Sequence, residues 1–381
     1  MAISRRWDLL NVSFLLGTLG LALVLVPLEF AHSLRHWGEW VVFLAMVGAI
    51  GMSITCGYHR LFSHRSYQAR WPVRLVLMCL GAASFENSVL HWASDHRIHH
   101  RHVDQGDDPY NSRKGFWYAH WVWVMEKRSL PISGVADLEK DPMLRWQHRH
   151  HFLIGACVAL LPPLLVGILT RNIAGMLIVG VLLRIVVTHH TTFFINSAAH
   201  FFGTQPYTDT NSARDNAFLA PLTYGEGFHN YHHMWQWDYR NGVRWYQWDP
   251  AKWTIRGMSW IGLASGLRMV PDPAIRRARI QMEEKALLAR LAQAPPLAAE
   301  ALNGRVVRAR QRLDMALEAL QEHRETWDRR KAEWKEHRRE AWSQRKAEWN
   351  LAMDQRRREF KLAWGEWKAA RLEVRRCAFA S

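Results

Sequence analysis

Cysteine is scarce in this 381-residue chain: Cys56, Cys79, Cys157 and Cys377 are scattered, and no two stand at C-x-x-C spacing. That excludes a disulfide framework and a thiolate zinc site, leaving reduced, inert thiols. No haem-binding or flavin fingerprint occurs either, so any redox chemistry here must draw electrons from a separate carrier. Acidic residues are outnumbered, with 34 Asp+Glu against 50 Lys+Arg and a formal charge of +16. A basic balance suits nucleic acid or an anionic membrane surface. Long runs without charge favour the membrane and speak against nucleic acid.

What is present is unevenly spread. Leu9–Phe30 carries a charge only at Glu29, near its far end, and Trp40–Cys56 carries none. Each can cross about 30 Å of hydrocarbon as a helix. Arg5 and Arg6 precede the first run as in a signal peptide, but the run is longer than an h-region and a second span follows, so it is read as a retained helix. The short connection Ala31–Glu39 makes the two a hairpin. From Arg70 to Val89 the apolar pattern is broken by Pro72, Arg74, Glu86 and Asn87, which predicts an interfacial or protein-buried helix. Residues 91–150 are too rich in His, Arg, Asp and Trp for lipid. His151–Thr170, with Pro162 and Pro163 inside it, and Ile173–Ile195 form a second hairpin across Arg171 and Asn172.

The short connections hold only Arg35 and Arg171, whereas the N-terminus and residues 58–150 are rich in Lys and Arg. By the positive-inside rule both termini and the long loop are cytoplasmic. The expected fold is an all-α integral membrane protein: four transmembrane helices in two hairpins, supporting a cytoplasmic helical cap with a histidine-rich dimetal site. It occupies residues 1–270. Pro271, Pro273, Pro295 and Pro296 bracket a linker, 271–296. From Pro271 onward there are 26 Lys+Arg against 17 Asp+Glu, and Leu297–Ser381 lacks proline. There Arg-Lys-Ala-Glu-Trp occurs at 330–334 and 345–349, and Trp327, Trp334, Trp342 and Trp349 step by seven or eight. That predicts a long basic helix over 297–381, self-associating as a coiled seam or lying on a membrane surface.

The chemistry lies in the histidines. In His96-Arg97-Ile98-His99-His100, offsets of three and four place the imidazoles on one helix face, where three converging on one spot would hold a metal. His229, His232 and His233 repeat the pattern, and His59 and His64 form a looser pair. In the fourth span Arg184, Thr188, Thr192, Asn196 and His200 follow at four-residue steps, a polar stripe aimed at the cap. Nine histidines exceed what one tetrahedral site takes, so two metals fit better. Imidazole suits iron, copper and zinc alike. His189 and His190 stand apart as a pair inside a span, costly unless partnered.

The order of H-x-x-x-x-H (59–64), H-x-x-H-H (96–100), N-x-x-x-H (196–200) and H-x-x-H-H (229–233), with two membrane hairpins at these places, resembles the membrane-bound fatty acyl-CoA desaturases, the stearoyl-CoA desaturase family. The flanks agree: Gly57-Tyr58-His59-Arg60-Leu61, Asp108-Pro109-Tyr110-Asn111 and Gly225-Glu226-Gly227-Phe228-His229. The resemblance covers roughly residues 5–265 and implies a non-haem di-iron centre. His59, His64, His96, His99, His100, His200, His229, His232 and His233 would be its direct ligands, and Asn196 would act through a water. It implies an enzyme that uses O2 to insert a cis double bond, at the delta-9 position, into a saturated acyl thioester. Asn87, Asp95 and Trp123 match family positions near the acyl-CoA, and Lys127 and Arg128 stand where the family has a basic pair that could meet CoA phosphates. Ser94, Phe193 and Gln236 depart from the pattern of animal members, which leaves acyl-CoA, a carrier-protein thioester and an acyl-lipid open as substrates. A ferredoxin, or a cytochrome with its reductase, would supply electrons, in a bacterial inner membrane or the endoplasmic reticulum. The alternatives are a di-iron fatty acid hydroxylase or alkane monooxygenase, and a non-enzymatic membrane scaffold.

Overall fold

A computed structural model describes residues 7–33, 37–127, 131–293, 296–334 and 339–379. The chain divides into two compact units, residues 1–205 with 209–269, and residues 206–208 with 270–381.

Among the described residues of the first unit four helices are long and apolar enough to cross a membrane: Leu9–Phe30, Gly38–Ser63, Pro142–Thr170 and Ile173–Phe201. The first has a mean hydropathy of 2.3 yet is only 11% buried. Leu9, Leu10, Leu23 and Leu28 point outward, a surface suited to lipid and not to water. The second and fourth are 44% and 50% buried, so these two carry the interior. The first and second spans both pack on the fourth, at its π-helical stretch Met176–Leu183.

The second span outruns its charge-free stretch. Beyond Cys56 it continues through wide π-helical turns over Ile54–Ser63, every residue buried. Arg60 is tolerated there because Glu226 and Asp249 meet its guanidinium at 2.9 and 3.0 Å; a buried charge needs such partners. The third span likewise starts early, at Pro142, where the Asp141 carboxylate accepts from the Met143 N–H. Pro162 and Pro163 stay inside this helix. At Gly155 a Cβ would lie 2.4 Å from the Ala82 carbonyl oxygen, so this span meets the helix Trp71–Ala82 backbone to backbone, as small residues allow.

Trp71–Ala82 has 12 residues, about 18 Å of helix and too short to cross. Helix Val89–His102 follows, its first turn capped by Ser88, which accepts from the His91 N–H. The intervening loop bends through left-handed backbone at Phe85 (φ 60°) and Asn87 (φ 73°). The all-helical expectation needs one amendment: Gln68–Ala69 pairs antiparallel with Ala264–Ser265.

The second unit revises the reading of the C-terminal region. The stretch read as a linker carries the helix Asp272–Leu291, because proline in a first helical turn starts a helix as readily as it ends one. The stretch read as one helix is two, Pro296–Trp334 and Arg339–Phe379. They run antiparallel, since Arg305 pairs with Glu373 and Arg312 with Glu366 while Trp327 stacks on Trp349 at 4.3 Å. All three helices share a core of Ile280, Leu287, Leu313 and Trp367. Trp334 and Trp342 lie outside the residues whose side chains are described.

Candidate metal centre

The nine histidines gather into two groups. His59, His64, His96, His100 and His232 form one, and His99, His200, His229 and His233 the other, with ring nitrogens within 4.8 Å of one another in each. Sequence spacing had each H-x-x-H-H run converge on a single spot, and the structure overturns this. Adjacent helical residues diverge by about 100°, so His96 and His100 serve one group while His99 turns to the other. In the second run His229 and His233 stay together and His232 crosses over. Each run therefore joins both groups.

The rings are aimed from behind. Nδ1 of His99 meets Asp108 at 2.8 Å, Nδ1 of His59 meets Glu226 at 3.2 Å, Nδ1 of His96 meets the Tyr110 hydroxyl at 3.1 Å, and Nδ1 of His200 meets the Ser212 hydroxyl at 2.7 Å. A carboxylate only accepts, so Nδ1 carries the hydrogen on His59 and His99, and Nε2 presents a lone pair inward. Asp104 in turn accepts from the hydroxyls of Ser112 and Ser212. Asp108, Tyr110 and Glu226 were legible only as motif flanks, through Asp108-Pro109-Tyr110 and Gly225-Glu226-Gly227, and Ser212 and Asp104 not at all.

Glu226 holds the most connections. It accepts from Thr55, from Arg60 at 2.9 Å and from Asn241 at 2.5 Å. Burial would raise its carboxyl, but His59 and Arg60 together hold it well below the usual carboxylate range. His64, His96, His100, His229, His232 and His233 are all pushed well below the ordinary imidazole value, first by burial and then by one another. They are neutral, the form that binds metals.

The donor set fits two metal ions. Facing Nε2 atoms lie 3.0 Å apart in His59–His232 and His100–His232, 2.8 Å in His64–His96, and 3.1 Å in His200–His229 and His229–His233. Imidazole nitrogens this close could reach one ion together, each at the roughly 2.1 Å that imidazole takes to a metal. Without a cation, each such contact needs a hydrogen on one of the two nitrogens.

A cavity of about 370 Å³ adjoins the groups, touched by His59, His96, His229 and Asn196. Asn87, Asp95 and Trp123 also line it, and the buried indole Nε1 of Trp123 has no hydrogen-bond partner among the described residues. Glu86 faces the cavity between Thr192, which donates to it at 2.9 Å, and the Trp92 indole at 3.2 Å. Burial pushes its carboxyl up to about 7, against the pull of those two hydrogen bonds. Lys127 is exposed and stands off the cavity, and Arg128 lies outside the described residues. The polar stripe divides: Arg184 donates to the Ala83 carbonyl at 2.6 Å, Thr192 and Asn196 face the cavity, and His200 joins the second group. His189 and His190 join neither group. Nε2 of His189 meets the Ser84 carbonyl at 2.7 Å and His190 pairs with His120 at 2.9 Å, the partners a buried pair requires.

The sequence model of the fatty acid desaturase family matches residues 35–259. The chain belongs to that family. It is 46% identical over 241 residues to the protein named "Probable acyl-CoA desaturase" of Schizosaccharomyces pombe, covering 62% of this chain and 50% of that one. It is 44% identical over 248 residues to Acyl-CoA desaturase 1 of Saccharomyces cerevisiae, covering 64% and 48%. With Stearoyl-CoA desaturase 5 of Homo sapiens it shares 34% identity over 268 residues, 68% of this chain and 79% of the human one. The matched part thus spans about half the length of the two fungal relatives.

Proposed function

We propose that this chain is an O2-dependent acyl-CoA desaturase that inserts a cis double bond, at the delta-9 position, into a saturated acyl thioester with two iron ions held by the nine histidines. The observation that carries the proposal is the pair of converging imidazole groups beside one cavity. The relatives named acyl-CoA and stearoyl-CoA desaturases support the reaction and the thioester. Bound iron supplies the redox chemistry that removal of hydrogen from unactivated methylenes requires, which acid–base side chains cannot supply. The balance is one O2, two electrons, two protons and two substrate hydrogens, giving two waters and the alkene.

The protein's own part is placement. His59, His64, His96, His100 and His232 would hold one ion, His99, His200, His229 and His233 the other, with Asn196 acting through a water on the cavity wall. Asn87, Asp95 and the indole N–H of Trp123 would meet the polar thioester head, and Lys127 with Arg128 would meet CoA phosphates from outside. Phe14, Leu15, Ile54 and Phe193 on the cavity wall would keep water from the reacting methylenes. Electrons come from a separate ferredoxin or cytochrome. Both termini and the histidines face the cytoplasm, and self-association through 297–381 belongs to the same proposal.

Iron-loaded protein with a reductase system and stearoyl-CoA should yield a product two hydrogens lighter, and His99→Ala should abolish it. A product heavier by one oxygen would instead assign a hydroxylase.

A further inference from the structure

Tyr224 lies just before the last histidine run and takes no part in either group. Its hydroxyl donates to the Val47 carbonyl of the second span at 3.0 Å. Its ring presses on Gly51 so closely that a Cβ there would lie 2.1 Å from the Tyr224 Cζ. Tyr224 also holds a left-handed backbone (φ 55°), ahead of Gly225 at φ 98°. A bulky residue seldom adopts that conformation, and it persists only where the surroundings impose it. Both Tyr224 and Gly51 line the cavity.

Their depth follows from helix geometry. Gly51 precedes His59 by eight residues on one continuous span, which puts it about 12 Å further into the membrane-crossing helix. Asn87, by contrast, is exposed and marks the solvent side of the cavity. An acyl chain entering head outward therefore runs past the histidines toward Tyr224, methyl end first.

We infer that Tyr224, tethered to Val47 and seated in the space that Gly51 leaves, is the floor of the acyl cavity and sets the longest chain the protein accepts. This rests on the acyl desaturase reading above. The tether matters because a free ring would swing aside for a longer chain. The glycine matters because any side chain at 51 drives the ring into the cavity.

The test is a series from myristoyl-CoA to arachidoyl-CoA, read both as kcat/KM for desaturation and as thermal stabilisation of the full-length protein by each acyl-CoA. Tyr224→Ala should raise the arachidoyl-to-palmitoyl ratio by about tenfold or more, the scale on which an apolar pocket discriminates by methylenes. Gly51→Ala should shift preference toward myristoyl-CoA, and adding Tyr224→Ala to it should reverse that shift. Tyr224→Leu serves if the alanine variant does not fold, with the same direction expected. A wild type that desaturates while these variants keep its chain-length ratio would overturn the inference. A wild type that desaturates nothing would refute the underlying reading instead, and the chain-length dependence of thermal stabilisation would still decide the role of Tyr224.

Discussion

At the residue scale the outer partners of the histidines matter as much as the rings. Glu226 orients His59 and neutralises buried Arg60 at the same time. Glu226→Gln keeps the shape and removes the charge, so metal content and activity should fall about 10–100-fold, the usual effect of losing such a partner; metal analysis on purified protein checks it. The pH dependence divides by sign. The six depressed histidines are neutral when folded, so their contribution is present above the ordinary value of 6.5 and is lost as pH falls below it. Glu86 works oppositely, because a carboxyl raised from 4.5 to about 7 contributes below 4.5 and loses that contribution as pH rises through 7. Glu86→Gln should therefore flatten the stability profile between those values, as read by thermal melts across pH. A melt profile unchanged in that window would count against a raised Glu86.

At the element scale, the helix Val89–His102 delivers rings to two sites because its turn does not return neighbouring residues to one face. His100→Ala and His99→Ala should each empty a different metal position, visible as loss of about half the bound metal in either variant, whereas loss of all metal in both would mean one cooperative site. Packing of the third span on the helix Trp71–Ala82 depends on glycine where the two backbones touch. Gly155→Ala must move the Ala82 carbonyl and should cost about 1–3 kcal/mol. Gly17→Ala, with open space around it, should leave the melting midpoint in place. Hydropathy made all four spans legible, but it missed the continuation from Cys56 to Ser63, since Arg60 reads as a stop unless its carboxylate partners are known.

At the scale of the whole molecule, the division at Val270 separates the histidines from a helical unit with its own core. A chain ending at Met269 should retain desaturation and metal content, assayed in membranes, if the proposed activity resides in the first unit. Within the second unit, Trp367 is fully buried, and Trp367→Ala should cost about 3–5 kcal/mol, seen in the melt of the full-length protein. The tryptophan seam was legible as a period of seven to eight. Its partner was not, because a repeat states that a face must be covered and leaves open whether another chain or the same chain covers it.

What the sequence determined by itself is the type of chemistry and the medium: charge-free runs long enough to cross a bilayer, and more imidazoles than one metal can use, in an order that resembles one family. Those are properties of residue type and spacing, and they survive without coordinates. The tertiary structure alone decided which imidazole serves which group, that Glu226 and Asp108 stand behind them, and that Tyr224 meets Gly51 across 173 residues of chain. These contacts depend on angles between elements distant in sequence, and a one-dimensional pattern holds no record of such angles.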